Sequence, residues 1–161
     1  MEVQQQIALN KVRSIANYQF GKGAGIALFP ENVEINCSKA TGRIRFVFLR
    51  KRLLATLRAG DGMVALTLTG AKRLLDAFPI PKFRVVVKDD VASFIADGRN
   101  VFAKHVVKAD PEIRPYEEVV VTRSNDKVLA VGKALLTGEE MLVFRRGVAV
   151  KVRKGLTEER P

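Results

Sequence analysis

The sequence predicts an α+β fold in two parts, an antiparallel sheet with two helices followed by a small β-barrel. Three observations predict it. Four short runs in residues 33–69 alternate apolar and polar side chains and are separated by glycine-bearing turns. Pro79 and Pro81 interrupt the chain near its middle. Many short strand-like runs and only two helical signals fill the rest. The prolines set the expected boundary: an N-terminal α+β domain over 1–79 and a second domain over 80–161, its core at 84–154.

The first element reads as a helix. Leu9, Val12, Ile15 and Ala16 recur at helical spacing, with Gln4, Gln5, Lys11 and Arg13 on the polar side. It stops before the glycine-rich stretch that starts at Phe20-Gly21-Lys22-Gly23. Four strands follow. Val33, Ile35 and Cys37 share one face, and Ile44, Phe46 and Phe48 oppose Arg43 and Arg45. Leu53, Ala55 and Leu57 alternate with Thr56 and Arg58, and Val64, Leu66 and Leu68 with Thr67 and Thr69. Lys39-Ala40-Thr41-Gly42 and Gly60-Asp61-Gly62 have hairpin chemistry, because glycine reaches positive φ without strain. The four strands therefore form a meander. Thr69 is the expected N-cap of a second helix with Leu74, Leu75 and Phe78 inward.

The second half restarts with the strand Arg84-Val85-Val86-Val87. Asp89 or Asp90 is expected to cap a short helix burying Val91, Phe94 and Ile95, with Gly98 at its left-handed C-terminal position. Further strands are expected near 101–107, 117–123, 127–135 and 147–153, with Ser124-Asn125-Asp126 turning one hairpin. Thr137 and Glu140 have capping-box spacing, so a helix starts there.

Composition narrows the function. The 161 residues include 28 Lys plus Arg against 17 Asp plus Glu, a net charge of +11. Residues 1–78 carry 12 basic and 5 acidic side chains, and 79–161 carry 16 and 12. Such a field favours polyanions, above all nucleic acid. With a single cysteine, Cys37, the chain has no internal disulfide and no cysteine zinc site. The start has no apolar core between basic flanks, and no run approaches the roughly 18–20 apolar residues of a membrane span. A cytoplasmic protein without membrane contact is expected.

Catalysis has little to work with. His105, the one histidine, alternates with Val101, Ala103 and Val107 and reads as packed or half-buried. Cys37 reads as a buried structural thiol. The acidic pairs are sequence neighbours, suited to capping and solvation. Gly21-Lys22-Gly23-Ala24-Gly25 lacks the ending of a phosphate loop and follows a helix, so Lys22 is expected only to touch an RNA backbone. No enzyme activity and no cofactor are expected. Basic clusters say more: Arg43, Arg45, Arg50, Lys51 and Arg52 in the first half, and Arg99, Lys104, Arg145, Arg146, Lys151 and Arg153 in the second. Phe46, Phe48 and Phe94 read as core, while Tyr18, Phe20, Phe102 and Tyr116 fit exposure or packing equally.

From residue 84 to 154 the sequence resembles a PUA domain, in RVVVKDDVASFIADGRNVFAKHVVKADPEIRPYEEVVV and KVLAVGKALLTGEEMLVFRRGVAVKVRKG. The first half resembles the domain that precedes PUA in archaeal tRNA-guanine (archaeosine) transglycosylase and archaeosine synthase, through ANYQFGKGAGIALFP, TGRIRFVFL and ALTLTGAKRLL. The catalytic barrel of the transglycosylase has no counterpart here. The resemblance implies RNA against the glycine loop (Gly98, Arg99, Asn100, Val101, Lys104) and the last strand (Arg145, Arg146, Gly147, Lys151); the basic alternation of that strand adds Arg153 to the expected contacts. It implies tRNA as partner, at the acceptor stem and 3′ end. Alternatives are a ribosome-biogenesis factor on rRNA, or an accessory subunit for a catalytic RNA-modifying partner lacking PUA. Two departures stand out: Tyr116 sits where glycine is common in the family, and His105 where an apolar residue is usual.

Overall fold

The computed structural model describes residues 2–159. The backbone divides into two compact units, one ending at Ala77 and the other starting at Phe78.

In the first unit, α1 (Glu2–Phe20) buries Leu9, Val12, Ala16 and Phe20 along one face. A short α2 (Ala24–Leu28) packs on it. The meander is β1 (Glu34–Cys37), β2 (Ile44–Leu49), β3 (Arg52–Leu57) and β4 (Val64–Leu66), all antiparallel in chain order. The helix α3 (Leu68–Ala77) closes the unit and buries Leu74 and Leu75.

Face assignment within the meander departs from simple alternation. The buried row is Ile35, Val47, Ala55 and Leu66, paired strand to strand. Phe46 is 40% exposed and Phe48 half-buried, so β2 presents the opposite face to the one expected. Bulges explain the change of phase, because an extra residue shifts which side chains face inward. One lies at Leu54, opposite Val47 and Phe48, and lets Leu54 and Ala55 both be buried. Another lies at Arg45, the extra residue of β2 opposite Asn36 and Cys37, and it breaks the alternation between Ile44 and Phe46; Cys37 on the edge strand is exposed rather than buried.

The helix cap is Thr67, two residues before Thr69. Thr67 Oγ1 accepts from Gly70 N–H at 3.1 Å and donates to the Leu53 carbonyl at 2.6 Å. Gly70 is needed where α3 meets the bulge, since a Cβ there would overlap the Leu54 carbonyl oxygen.

In the second unit the strands are β5 (Arg84–Val87), β6 (Val101–Phe102), β7 (Val106–Ala109), β8 (Glu118–Thr122), β9 (Val128–Ala134) and β10 (Val148–Gly155). Their order is β6-β10-β9-β8-β5-β7, antiparallel except for the parallel pair β5–β8. A 3₁₀ turn at Ala103–His105 joins β6 to β7 and breaks the expected strand over 101–107. One piece of chain thus occupies both edges of the sheet and brings it close to a barrel. Val85, Val87, Ile95, Val101, Val119, Val121 and Met141 fill the interior. The helix α5 (Gly138–Val143) starts with the expected capping box of Thr137 and Glu140. The helix α4 (Ala92–Ala96) follows a 3₁₀ turn, Asp89–Val91, with no side-chain cap. Asp89 instead takes the Ser124 hydroxyl at 3.3 Å and lies 3.6 Å from Arg123.

Tyr116, where the resemblance leads one to expect glycine, has φ +72°. It is exposed, and its N–H donates to the Ala134 carbonyl at 2.6 Å. The left-handed conformation costs an L side chain about 1–2 kcal/mol, and glycine's extra chain entropy offsets about 0.5–1 of that. Tyr116→Gly is therefore expected to stabilise the protein by about 0.5–1 kcal/mol, read from the urea midpoint. A lowered midpoint would mean that the ring makes contacts worth more than the strain.

Candidate nucleic-acid interface

The glycine loop is built by the end of α4. Gly98, at φ +100°, donates to the Ile95 carbonyl at 2.9 Å, and Arg99 N–H donates to Phe94 at 3.2 Å. These two bonds make a Schellman turn, which ends the helix and leaves Arg99 and Asn100 exposed. The space beside Gly98 is occupied by the carboxylate of Glu158, which accepts from Gly155 N–H at 2.8 Å. The close approach at Gly98 is therefore made by the chain's own C-terminal turn.

Sheet pairing brings the loop to the last strand. Phe102 pairs with Val148 and Val101 with Val150, while the Gly147 carbonyl accepts from Ala103 N–H at 2.9 Å. Arg99, Asn100, Lys104, Arg145, Arg146, Gly147 and Lys151 are all exposed. Three of the expected residues are otherwise engaged. Val101 is fully buried, so its side chain belongs to the core. Asn100 Oδ1 accepts from Val152 N–H at 3.0 Å and ties the loop to β10. Arg153 grips the fully buried carboxylate of Glu118 with two N–H groups, Nη1 to Oε1 at 2.8 Å and Nη2 to Oε2.

Helical spacing places Phe94 in the core and leaves Phe102 open between exposure and packing, and the structure exposes both. Phe94 is 54% exposed and Phe102 45% exposed. With Arg99, Asn100 and His105 they line an open cleft of about 580 Å³ beside the glycine loop. The Arg99 guanidinium lies 6.0 Å from the Phe94 ring centroid, and Phe102 meets His105 edge-on at 6.1 Å. An exposed aromatic beside arginine can stack a base and hold its phosphate. Leu142, Val143 and Phe144, directly before Arg145, are exposed too.

His105 is held below the ordinary imidazole pKa, first by burial and then by Lys104 and Lys88, with Asp90 opposing. The native protein therefore binds less proton than the unfolded chain as pH falls through the ordinary imidazole range. Stability is expected to decline as pH drops from 7.5 to 5.5, and His105→Gln should remove that slope. Urea titrations of both proteins across that range check this; identical slopes would refute it.

In the first unit Lys22 is exposed in the turn between α1 and α2, and Arg43 is exposed while Arg45 is half-buried. Arg50, Lys51 and Arg52 are exposed at the β2–β3 tip. Arg50 and Lys51 take φ +50° and +68°, both left-handed. Tight hairpin turns of this kind favour Asn-Gly, so two basic residues there hold strain at an exposed tip. Among the described residues no group of three or more His, Cys, Asp or Glu could hold a metal ion, and no helix is long and apolar enough to cross a membrane.

Residues 10–81 match the family described as patch-forming domain C2 of tRNA-guanine transglycosylase, and residues 83–156 match the PUA domain. The tRNA-guanine(15) transglycosylase of Thermococcus kodakarensis is 50% identical over 145 residues, covering 90% of this chain and 25% of the relative. That of Methanobrevibacter smithii is 49% identical over 148 residues, covering 92% and 22%. The chain thus spans about a quarter of the length of these relatives. In fold it is similar to a hypothetical protein of Pyrococcus horikoshii (TM-score 0.73, 23% identity, 91% of this chain and 89% of that one). It is also similar to a conserved PUA domain protein of Thermoplasma acidophilum (TM-score 0.67, 19% identity, 96% and 91%). With both halves matched in order, the chain is a PUA-domain protein corresponding to the C-terminal domains, C2 and PUA, of archaeal tRNA-guanine transglycosylases.

Proposed function

We infer that this protein binds RNA without making or breaking a bond, and that its target is tRNA at the acceptor stem and single-stranded 3′ end. The observation that carries this is the 44–50% identity of nine-tenths of the chain to the C-terminal part of enzymes named for acting on tRNA. The geometry supports it. Exposed Arg99, Lys104, Arg145, Arg146 and Lys151 surround a cleft with two exposed aromatics, which suits phosphates and an unstacked base. In the first unit, Arg43, Arg45 and the tip Arg50–Arg52 form a second set of phosphate contacts, with Lys22 beside α2.

The test is binding of total tRNA over a salt series, with and without the 3′-terminal CCA. Binding that weakens steeply with salt and drops on CCA removal is expected. Binding indifferent to CCA would move the target to ribosomal RNA or another duplex. The chain's quarter-length match favours one second reading, a non-catalytic part that supplies RNA affinity to a catalytic partner. Absence of binding at moderate salt by this chain alone, restored by such a partner, would favour it.

A further inference from the structure

The first unit holds a cleft from which the reading above uses only Arg43 and Arg45, as phosphate contacts. It has a volume of about 590 Å³ and lies between α1 and the tips of the β1–β2 and β3–β4 hairpins. Lys11 reaches it from α1, Arg43 and Arg45 from the first hairpin, and Arg58 from the second. Asp61 is the sole acid along it. Arg58 Nε is 3.3 Å from Asp61 Oδ1 yet makes no hydrogen bond. The apolar part is Phe46 together with Ile15, Ile44, Leu57 and Ala59. Phe46 is 40% exposed, stands 6.3 Å from Phe48, and has the Arg45 guanidinium 6.0 Å from its ring.

This combination is selective. Four cations against one acid call for an anion, while an exposed aromatic floor calls for a flat apolar group. The volume falls in the range of single small-ligand sites and is far too small for a duplex. A paired stem could offer only its phosphates at the rim. An unpaired nucleotide offers both parts, a base for the ring and phosphates for the cations. We propose that this cleft takes one unpaired nucleotide of a bound RNA, its base against Phe46 and its phosphates on Lys11, Arg43, Arg45 and Arg58. The proposal rests on the RNA-binding reading, but it concerns a site in the other unit from the PUA surface.

The chain has no tryptophan, so Phe46→Trp places the only indole in this cleft. Phe94→Trp, made separately, reports on the PUA cleft. Total tRNA should quench the fluorophore of the Phe46→Trp protein, a blunt RNA duplex should not, and adding Lys11→Ala and Arg43→Ala should weaken the quenching about tenfold or more. Quenching in Phe94→Trp but none in Phe46→Trp would overturn the proposal and leave the RNA-binding reading standing. Equal quenching by the blunt duplex would overturn it as well, since phosphate contact alone would then suffice. Silence in both proteins, with no tRNA retained on filters, would overturn both readings. Should Phe46→Trp fail to fold, Phe46→Leu serves in its place: loss of a stacked base predicts about tenfold weaker tRNA binding, and unchanged binding refutes it.

Discussion

Arg84→Met is expected to lower stability by about 3 kcal/mol. Arg84 opens β5 and is 3% exposed. Its Nε and Nη2 donate to Asp126 Oδ1 and Oδ2 at 2.9 and 3.0 Å. Its Nη1 donates to the carbonyls of Phe78 and Lys82 at 3.0 and 3.1 Å. One guanidinium thus fastens the segment entering the barrel to the β8–β9 turn, where Asp126 itself sits at φ +66°. Methionine fills similar volume but leaves a carboxylate and two carbonyls short of donors. Breaking a buried pair from one side costs about 3–5 kcal/mol, and the 35% exposure of the Asp126 side chain sets the lower end. At about 4–8 °C per kcal/mol for a domain of this size, Tm should fall by about 12–24 °C. Arg84→Lys should recover only part of this, because an ammonium cannot match the two-pronged geometry. A loss below 1 kcal/mol for methionine would show that water replaces these bonds freely.

Neither Arg84 nor Glu118 announces itself in the sequence, and the reason is separation. Arg84 and Asp126 are 42 positions apart, and Arg153 and Glu118 are 35 apart, so no local pattern links them. What was legible is what local chemistry controls. The meander follows from alternation and glycine turns, the Thr137–Glu140 box from its spacing, and the Gly98 turn from a glycine after a short apolar helix. The resemblance singles out Tyr116 as a departure from an expected glycine, and its φ of +72° is one that glycine adopts without strain. Errors arose where a single residue changes the phase. The bulge at Arg45 breaks the alternation between Ile44 and Phe46 opposite Cys37, and the bulge at Leu54 does the same in β3. Phe94 was misread because α4 has five residues behind a 3₁₀ turn, too short for helical periodicity to decide a face. Both misreadings concealed exposed aromatics beside basic residues, and those are the features that make a base-binding surface.

Replacing Arg145 and Arg146 together with alanine should weaken tRNA binding by about 10–100-fold at moderate salt while leaving the fold intact. Both are exposed in the turn between α5 and β10, and neither side chain forms a hydrogen bond or ion pair among the described residues. Their removal should change stability by no more than about 0.5 kcal/mol. If each neutralises one phosphate, the slope of log K against log salt should become shallower by about 1.8 for duplex contacts, or about 1.4 for the single-stranded end. Arg153→Ala supplies the contrast. It removes the partner of a fully buried carboxylate, so it should lower stability by about 3 kcal/mol. Its effect on the salt slope should be small, since that guanidinium is already engaged by Glu118. Two arginines eight residues or fewer from a third thus separate binding from folding. Were the Arg145/Arg146 variant to bind tRNA with an unchanged slope, this turn would not meet the phosphates, and the RNA-facing side of the barrel would have to be sought elsewhere on it.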